Sequence, residues 1–169
     1  MLFRSLLDAF AQLPQNDARL VIAGDGVDEN ALRGRASSLG ISARVHWLGF
    51  RHDLDNVLLG ADVFVLPSRR EGMANVMLEA MAARCLTVAT DVSGVREAIG
   101  ARDGRKEAGW ITPVEDATAL AAALEQALAA ARSPAGETLR KEADYRIDTW
   151  FSPMRTIEQT ERILAGRTP

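Results

Sequence analysis

The order of apolar runs in this sequence predicts an α/β fold, a doubly wound parallel sheet covered by helices on both faces. Three observations carry that expectation. Strand-like and helix-like segments alternate from Arg19 to Thr112, and such alternation builds units whose strands run parallel. Ala61-Asp62-Val63-Phe64-Val65-Leu66-Pro67 is a β-rich apolar run closed by a proline, the pattern of a buried strand. Val76 to Ala83 then holds one charged residue, Glu79, among seven apolar ones, the composition of a helix buried on most of its circumference.

Taken in order, Leu2, Phe3, Leu6, Leu7, Phe10 and Leu13 fall at helical spacing and predict an amphipathic helix ended before Pro14. Arg19 to Ala23 reads as a short strand, and Gly24-Asp25-Gly26 as a tight turn into a helix at about 28–39. The turn fails as a dinucleotide fingerprint, because Glu29 stands where the third small residue is required. Arg44 to Leu48 is a strand carrying His46 as a core or face residue, followed by a loop with Arg51 and His52. Asp53-Leu54-Asp55 has the spacing of a metal-binding acidic pair but opens a short helix to Leu59, where acids complement the helix dipole without a metal. Cys85 to Thr90 is a second buried strand with a turn at Asp91 to Gly94, Val95 to Ile99 a short helix, and Gly109 to Thr112 the last strand. Asp116 caps a helix over 117–132 with a Leu120, Leu124, Leu128 stripe. Ser133 to Gly136 breaks it, and helices at about 137–149 and 154–165 follow. The last of these has an apolar stripe without an evident partner, which predicts a homodimer or a mobile tail.

With 169 residues, of which 47% are hydrophobic, the chain makes one domain over 1–169. Twenty basic against 23 acidic residues, net charge −3, with no cluster of like charge, exclude a nucleic-acid surface. The single cysteine, Cys85, excludes an internal disulfide and a multi-cysteine metal site, and fits a reducing cytoplasm as a small buried residue. No stretch approaches the roughly 18 apolar residues of a membrane span, and the first residues lack a signal-peptide pattern. Lysine occurs only at 106 and 141, an arginine-rich usage that suits a GC-rich genome.

The chemistry concentrates in Pro67 to Arg84. In open α/β sheets ligands bind outside the carboxyl ends of the strands, where the run at 61–67 ends. Gly72 lets a ligand approach the backbone, and the free N–H groups of the first helical turn, around Met73 to Val76, suit an anion such as phosphate. Glu71 and Glu79 flank this site, and carboxylates accept hydrogen bonds from hydroxyls. The pattern therefore points to a sugar near Glu71 and a ribose near Glu79, about 12 Å apart if all eight residues are helical. A buried Glu79 would cost several kcal/mol without a partner. For Glu71 a second reading stands at even weight: Ser68-x-x-Glu71 is also a capping box, which needs no ligand.

The run P-S-R-R-E-G-M-A-N-V-M-L-E-A-M-A-A resembles the E-x7-E signature of the retaining glycosyltransferases of family 4, whose fold is the two-domain GT-B. A-G-D-G at 23–26, R-V-H-W-L-G-F at 44–50, A-D-V-F-V-L-P-S at 61–68 and G-W-I-T-P-V-E-D at 109–116 follow in the family's order. The resemblance covers nearly the whole chain and implies the Rossmann-like C-terminal, donor-binding half of a GT-B fold, lacking its first strand. It implies that Glu71, Gly72, Met73 and Ala74 bind the donor sugar, that Asn75, Val76 and Arg70 meet the diphosphate, and that Glu79 holds the ribose. Gly24, Gly26, Arg51 and His52 are implied as base or loop contacts. The implied donor is a nucleotide diphosphate sugar, with no cofactor or metal. The acceptor is a saccharide or glycolipid of cell-surface polysaccharide or lipopolysaccharide synthesis, handled at the inner membrane face.

Two departures accompany the resemblance. The family's first strand, with an Arg and a Lys that clamp the diphosphate, has no counterpart after Met1. Counting back from Ala9-Phe10 places that lysine at about residue 1. The acceptor site would come from an N-terminal domain in cis or in trans, against which helices at 137–165 would pack, and the chain alone would transfer little sugar. Arg84 stands where the family has the glycine of a helix end, and Leu86 where it has a proline, which predicts an altered helix end. Two other functions stay open: a non-catalytic nucleotide-sugar-binding or regulatory partner module, and an unrelated Rossmann-like binding protein.

Overall fold

The computed structural model describes residues 2–14 and 17–152. In chain order they form α1 (Leu2–Gln12), β1 (Leu20–Ala23), α2 (Glu29–Ser38), β2 (Val45–Gly49), α3 (Leu54–Leu59), β3 (Val63–Leu66), α4 (Asn75–Ala82), β4 (Leu86–Thr90), α5 (Val95–Ile99), β5 (Gly109–Thr112), α6 (Ala117–Ala130) and α7 (Pro134–Trp150). All strand pairs are parallel, as the alternation requires: β1 with β2, β3 with β4 and β4 with β5. The helix expected at 154–165, and with it the homodimer or tail, lies outside the described residues.

The sheet differs from a continuous one. It is divided into β1-β2 and β3-β4-β5, with a groove of about 760 Å³ between the edges of β1 and β3, walled by α1, α3 and α6. Among the described residues no strand fills the groove. The consequence is local to β3. β4 is buried along its whole length, whereas Val63, Phe64 and Val65 are only half-buried although their sequence reads as interior. A strand's burial depends on its neighbours on both sides, and β3 has one.

One core nevertheless spans both half-sheets. Leu6, Leu7 and Phe10 of α1 pack with Ile22 of β1, Val45 of β2, Val88 of β4 and Leu120 and Leu124 of α6. Each such side chain contributes about 1.5–3 kcal/mol when fully removed from water. The opposite face holds a second cluster, Met77 and Met81 of α4 with Val95, Ala98 and Ile99 of α5.

Helix ends follow local chemistry. Asp116 Oδ1 accepts from the Ala119 N–H at 2.8 Å and caps α6. Ser133-Pro134 does more than break the chain, since Ser133 caps α7 and Pro134 takes its first position, so this helix starts three residues before Glu137. Arg84 does not alter the end of α4. It adopts the left-handed φ of 65° that glycine would take, with the Arg84 N–H on Met81 O and the Cys85 N–H on Ala80 O at 3.0 and 2.9 Å, a Schellman closure. In that conformation its guanidinium pairs with Glu137 and Asp144 on α7, and its carbonyl accepts from Arg140 Nε at 2.9 Å. The Cys85 thiol is buried, and burial raises its pKa above the usual thiol range, consistent with a packing role.

α7 is fastened by arginines. Arg146 is fully buried; its guanidinium donates to Ala98 O at 2.9 Å, Gly100 O at 2.8 Å, Lys106 O at 2.5 Å and Glu142 at 2.9 Å. Glu142 also accepts from Arg105 at 2.6 Å, and hydrogen bonds from Arg105, then Arg146, hold its carboxyl below the usual glutamate range. A lowered folded-state pKa means stability present above the ordinary value of about 4.3 and lost as pH falls through the lowered one. Denaturant unfolding from pH 7 to pH 3 should therefore show a steeper acid loss in the native chain than in Glu142→Gln. Parallel curves would refute this assignment.

Candidate functional site

The carboxyl ends of β3, β4 and β5 form one edge, reached at Pro67-Ser68, Thr90-Asp91 and Thr112-Pro113. From β3 the chain does not enter a helix directly. Residues 67–74 form an irregular shelf, and α4 starts only at Asn75, with Ala74 as its uncapped N-terminal residue. Ser68 therefore caps no helix, which removes the capping-box reading of Glu71. Instead the buried Ser68 donates its hydroxyl proton to Glu71 Oε1 at 2.6 Å, leaving the rest of that half-buried carboxylate free to accept.

Beyond Glu71 lies a row of donors. The N–H groups of Gly72, Met73, Ala74, Asn75 and Val76 have no acceptor among the described residues. A Cβ placed on Gly72 would meet nothing within 4 Å, so its backbone is open to a ligand. Free amides at a helix start, aligned with its dipole, favour a negatively charged group. Chemically, the shelf can hold an anion on its amides and hydroxyl groups on the neighbouring carboxylate.

Glu79 overturns the expectation of a buried charge. Its side chain is exposed and has no partner among the described residues. Asn75, Glu79 and Ala82 are the exposed positions of α4, and at helical spacing they share one face. The alanine at 82 hides that polar face in a count of apolar residues. Glu79 is solvated by water and needs no partner, so burial supplies no argument for a ligand there. Only Asn75 to Glu79 of the interval from Glu71 is helical, a rise of about 6 Å, and the irregular residues 71–74 make up the rest of the separation.

The arginines divide. Arg69 is engaged by Glu115, itself at a positive φ of 62° in the turn after β5. Arg70 is exposed and has no partner among the described residues. A niche between Pro67, Arg69, Thr90, Pro113 and Glu115 has only about 10 Å³, room for one water at most. The site is an open shelf and not an enclosed pocket.

The other predicted contacts sit on the second half-sheet. The Gly24 N–H donates to Gly49 O at 2.7 Å, tying the turn after β1 to the end of β2. Gly24 and Gly26 are exposed, and a Cβ placed on either would meet nothing within 4 Å. His52 stacks edge-on against Phe50 at 4.8 Å, and Arg51 pairs with Asp53 at 2.7 Å. That hydrogen bond from Arg51 lowers the Asp53 pKa, so this acid of the Asp53-x-Asp55 pair already has a cation. The structure thus brings Glu71 and residues 72–76 together and leaves Gly24, Gly26, Arg51 and His52 on the half-sheet across the groove. Thr90, whose hydroxyl lies 2.5 Å from Ser68 O, was not singled out by sequence: a threonine ending a strand carries no signal of its partner.

Comparison with known proteins agrees with this architecture. Residues 3–144 match the profile of the family glycosyl transferases group 1. EpsD of Bacillus subtilis is 40% identical over 125 residues, covering 73% of this chain and 32% of EpsD. The lipopolysaccharide core biosynthesis glycosyltransferase LpsE of Rhizobium meliloti is 36% identical over 127 residues, covering 75% of this chain and 36% of LpsE. The chain thus spans about a third of the length of these relatives. The crystal structure of Anabaena HepE in complex with UDP superposes with a TM-score of 0.83 at 23% identity, over 96% of this chain and 44% of HepE, which establishes the fold. With a family match over most of its length and the Rossmann-like C-terminal fold of GT-B enzymes, the chain belongs to the glycosyl transferases group 1.

Proposed function

We propose that this chain is the donor-binding portion of a retaining, metal-independent glycosyltransferase that moves a hexose from a nucleotide diphosphate sugar to a saccharide or glycolipid acceptor. The observation that carries the reading is the shelf, where Glu71, held by Ser68, adjoins the free amides of Gly72 to Val76. Glu71 to Ala74 take the sugar, Asn75, Val76 and Arg70 the diphosphate, and Glu79 the ribose. Gly24, Gly26, Arg51 and His52 line the base side. Amides preset toward the leaving diphosphate stabilise the charge that develops as the glycosidic bond breaks, while the shelf fixes the sugar's position.

The acceptor site belongs to an N-terminal domain in cis or in trans. The enzyme works in the cytoplasm, peripheral to the inner membrane face, in polysaccharide or lipopolysaccharide synthesis. No described helix is long and apolar enough to cross a membrane. Glu71 sits on an open shelf, which suits a donor closed in by a second domain.

Titrating the 169-residue chain with uridine, guanosine and adenosine diphosphates, and assaying hydrolysis and transfer with the matching sugars, tests the proposal. We expect weak binding of at least one nucleotide and little or no turnover. Robust transfer by the isolated chain overturns its incompleteness, and no binding of any nucleotide overturns the donor site.

A further inference from the structure

Residues 69–74 belong to no strand or helix, so whatever fixes the shelf must come from its neighbours. Two such supports stand behind it, both at the end of β4. Thr90, buried at 3% exposure, has its hydroxyl 2.5 Å from Ser68 O and 3.2 Å from Leu66 O. Ser68 in turn donates to Glu71 at 2.6 Å. The carboxylate is therefore linked to the central, fully buried strand β4 through two consecutive hydrogen bonds.

The second support is steric. Gly94, in the turn between β4 and α5, has a φ of 80°, and a Cβ there would stand 2.7 Å from Gly72 O, 3.1 Å from Met73 Sδ and 3.2 Å from Met73 Cα. Two of those atoms are backbone and cannot swing aside. Glycine is thus needed twice over, for the left-handed conformation and for the close approach of one backbone to another.

We infer that Thr90 and Gly94 are positioning residues for the donor shelf, Thr90 setting Glu71 and Gly94 setting the amides from Gly72 onward. The inference rests on the shelf being the diphosphate-sugar site. Neither residue touches the ligand. Their effect comes from aiming groups that do, since a preorganised site loses affinity when its donors diverge.

Backbone-amide NMR of the 169-residue chain, with titrations by uridine diphosphate and inorganic pyrophosphate, tests this on Gly94→Ala, Thr90→Val and Thr90→Ser. Gly94→Ala should weaken both probes about tenfold or more, because the shelf backbone must shift to admit the methyl group. Thr90→Val should weaken them about three- to tenfold, the range for one hydrogen bond, whereas Thr90→Ser keeps the hydroxyl and should stay within about twofold. Without ligand, the amide resonances of 71–76 should move in Gly94→Ala and Thr90→Val but not in Thr90→Ser. Glu142→Gln, which weakens the fold elsewhere, should leave those resonances and both affinities unchanged.

Unmoved resonances in Thr90→Val and Gly94→Ala would overturn the inference. So would Thr90→Ser behaving like Thr90→Val, or Glu142→Gln weakening the probes equally. Should Gly94→Ala not fold, the Thr90 pair decides. If the native chain binds neither probe, the donor-site reading fails, and the ligand-free resonances still decide whether these residues position the shelf.

Discussion

Arg146→Ala is expected to lower the unfolding free energy by about 3–5 kcal/mol, the usual cost of removing one member of a buried charged network. The loss has identifiable parts. The carbonyls of Ala98, Gly100 and Lys106 lose the guanidinium donor, and a buried acceptor left unpaired costs about 1–3 kcal/mol. Glu142 loses one of its two cations. At about 2–4 °C per kcal/mol for a domain of this size, the melting midpoint should fall by roughly 6–20 °C. Arg96→Ala serves as the comparison: its pair with Asp91 is exposed, and such pairs contribute little. If both variants melt together, the buried network does not fasten α7.

Glu71→Gln is expected to weaken nucleotide diphosphate sugar by about 10- to 100-fold, the 1.5–3 kcal/mol of a hydrogen bond to a charged group, and to leave the plain nucleoside diphosphate nearly unaffected. The amide oxygen of glutamine can still accept from Ser68, so the shelf keeps its shape while the charge is removed. Glu79→Gln should behave differently, weakening nucleotide and nucleotide sugar alike, because a ribose is common to both. Calorimetric titration of both variants with both ligands separates the roles. Equal loss of both ligands in Glu71→Gln, or loss of only the sugar-bearing one in Glu79→Gln, would contradict the assignment.

Legibility varied with the range of the interactions concerned. Val95 to Ile99 and Gly109 to Thr112 have the bounds expected from the sequence, and the Asp116 cap forms as expected, because these depend on side chains a few residues apart. Arg84 was legible as an anomaly but not in its outcome. The acids that its side chain meets in the left-handed conformation come from α7, 53 and 60 residues away. Arg146 gave no warning of its burial, since a basic residue in a polar helix ordinarily faces water. Its three carbonyl partners lie in α5, at 98, and in the connection to β5, at 100 and 106.

For the candidate site, the order proline, serine, glutamate, glycine after an apolar strand pointed to a loop at the carboxyl edge of a parallel sheet, where ligands of such folds fit, and the structure places residues 67–74 at that edge. What the residues of that loop face was a different matter. Thr90 joins the candidate site through a neighbouring strand, and Glu79 reads as interior in the sequence only because Ala82, on the same exposed face, counts as apolar.

The sequence by itself determined the kind and order of the described elements, the parallel α/β class and the loop at the carboxyl edge that forms the candidate site. Local periodicity, caps and breakers act within a few residues and need no knowledge of the rest. Only the tertiary structure decided which charges are buried, where the sheet is interrupted and what holds Glu71 in place. Burial and hydrogen-bond partnership are properties of neighbours in space, and those neighbours here are 22 residues away for Thr90 and Ser68 and up to 48 away for Arg146.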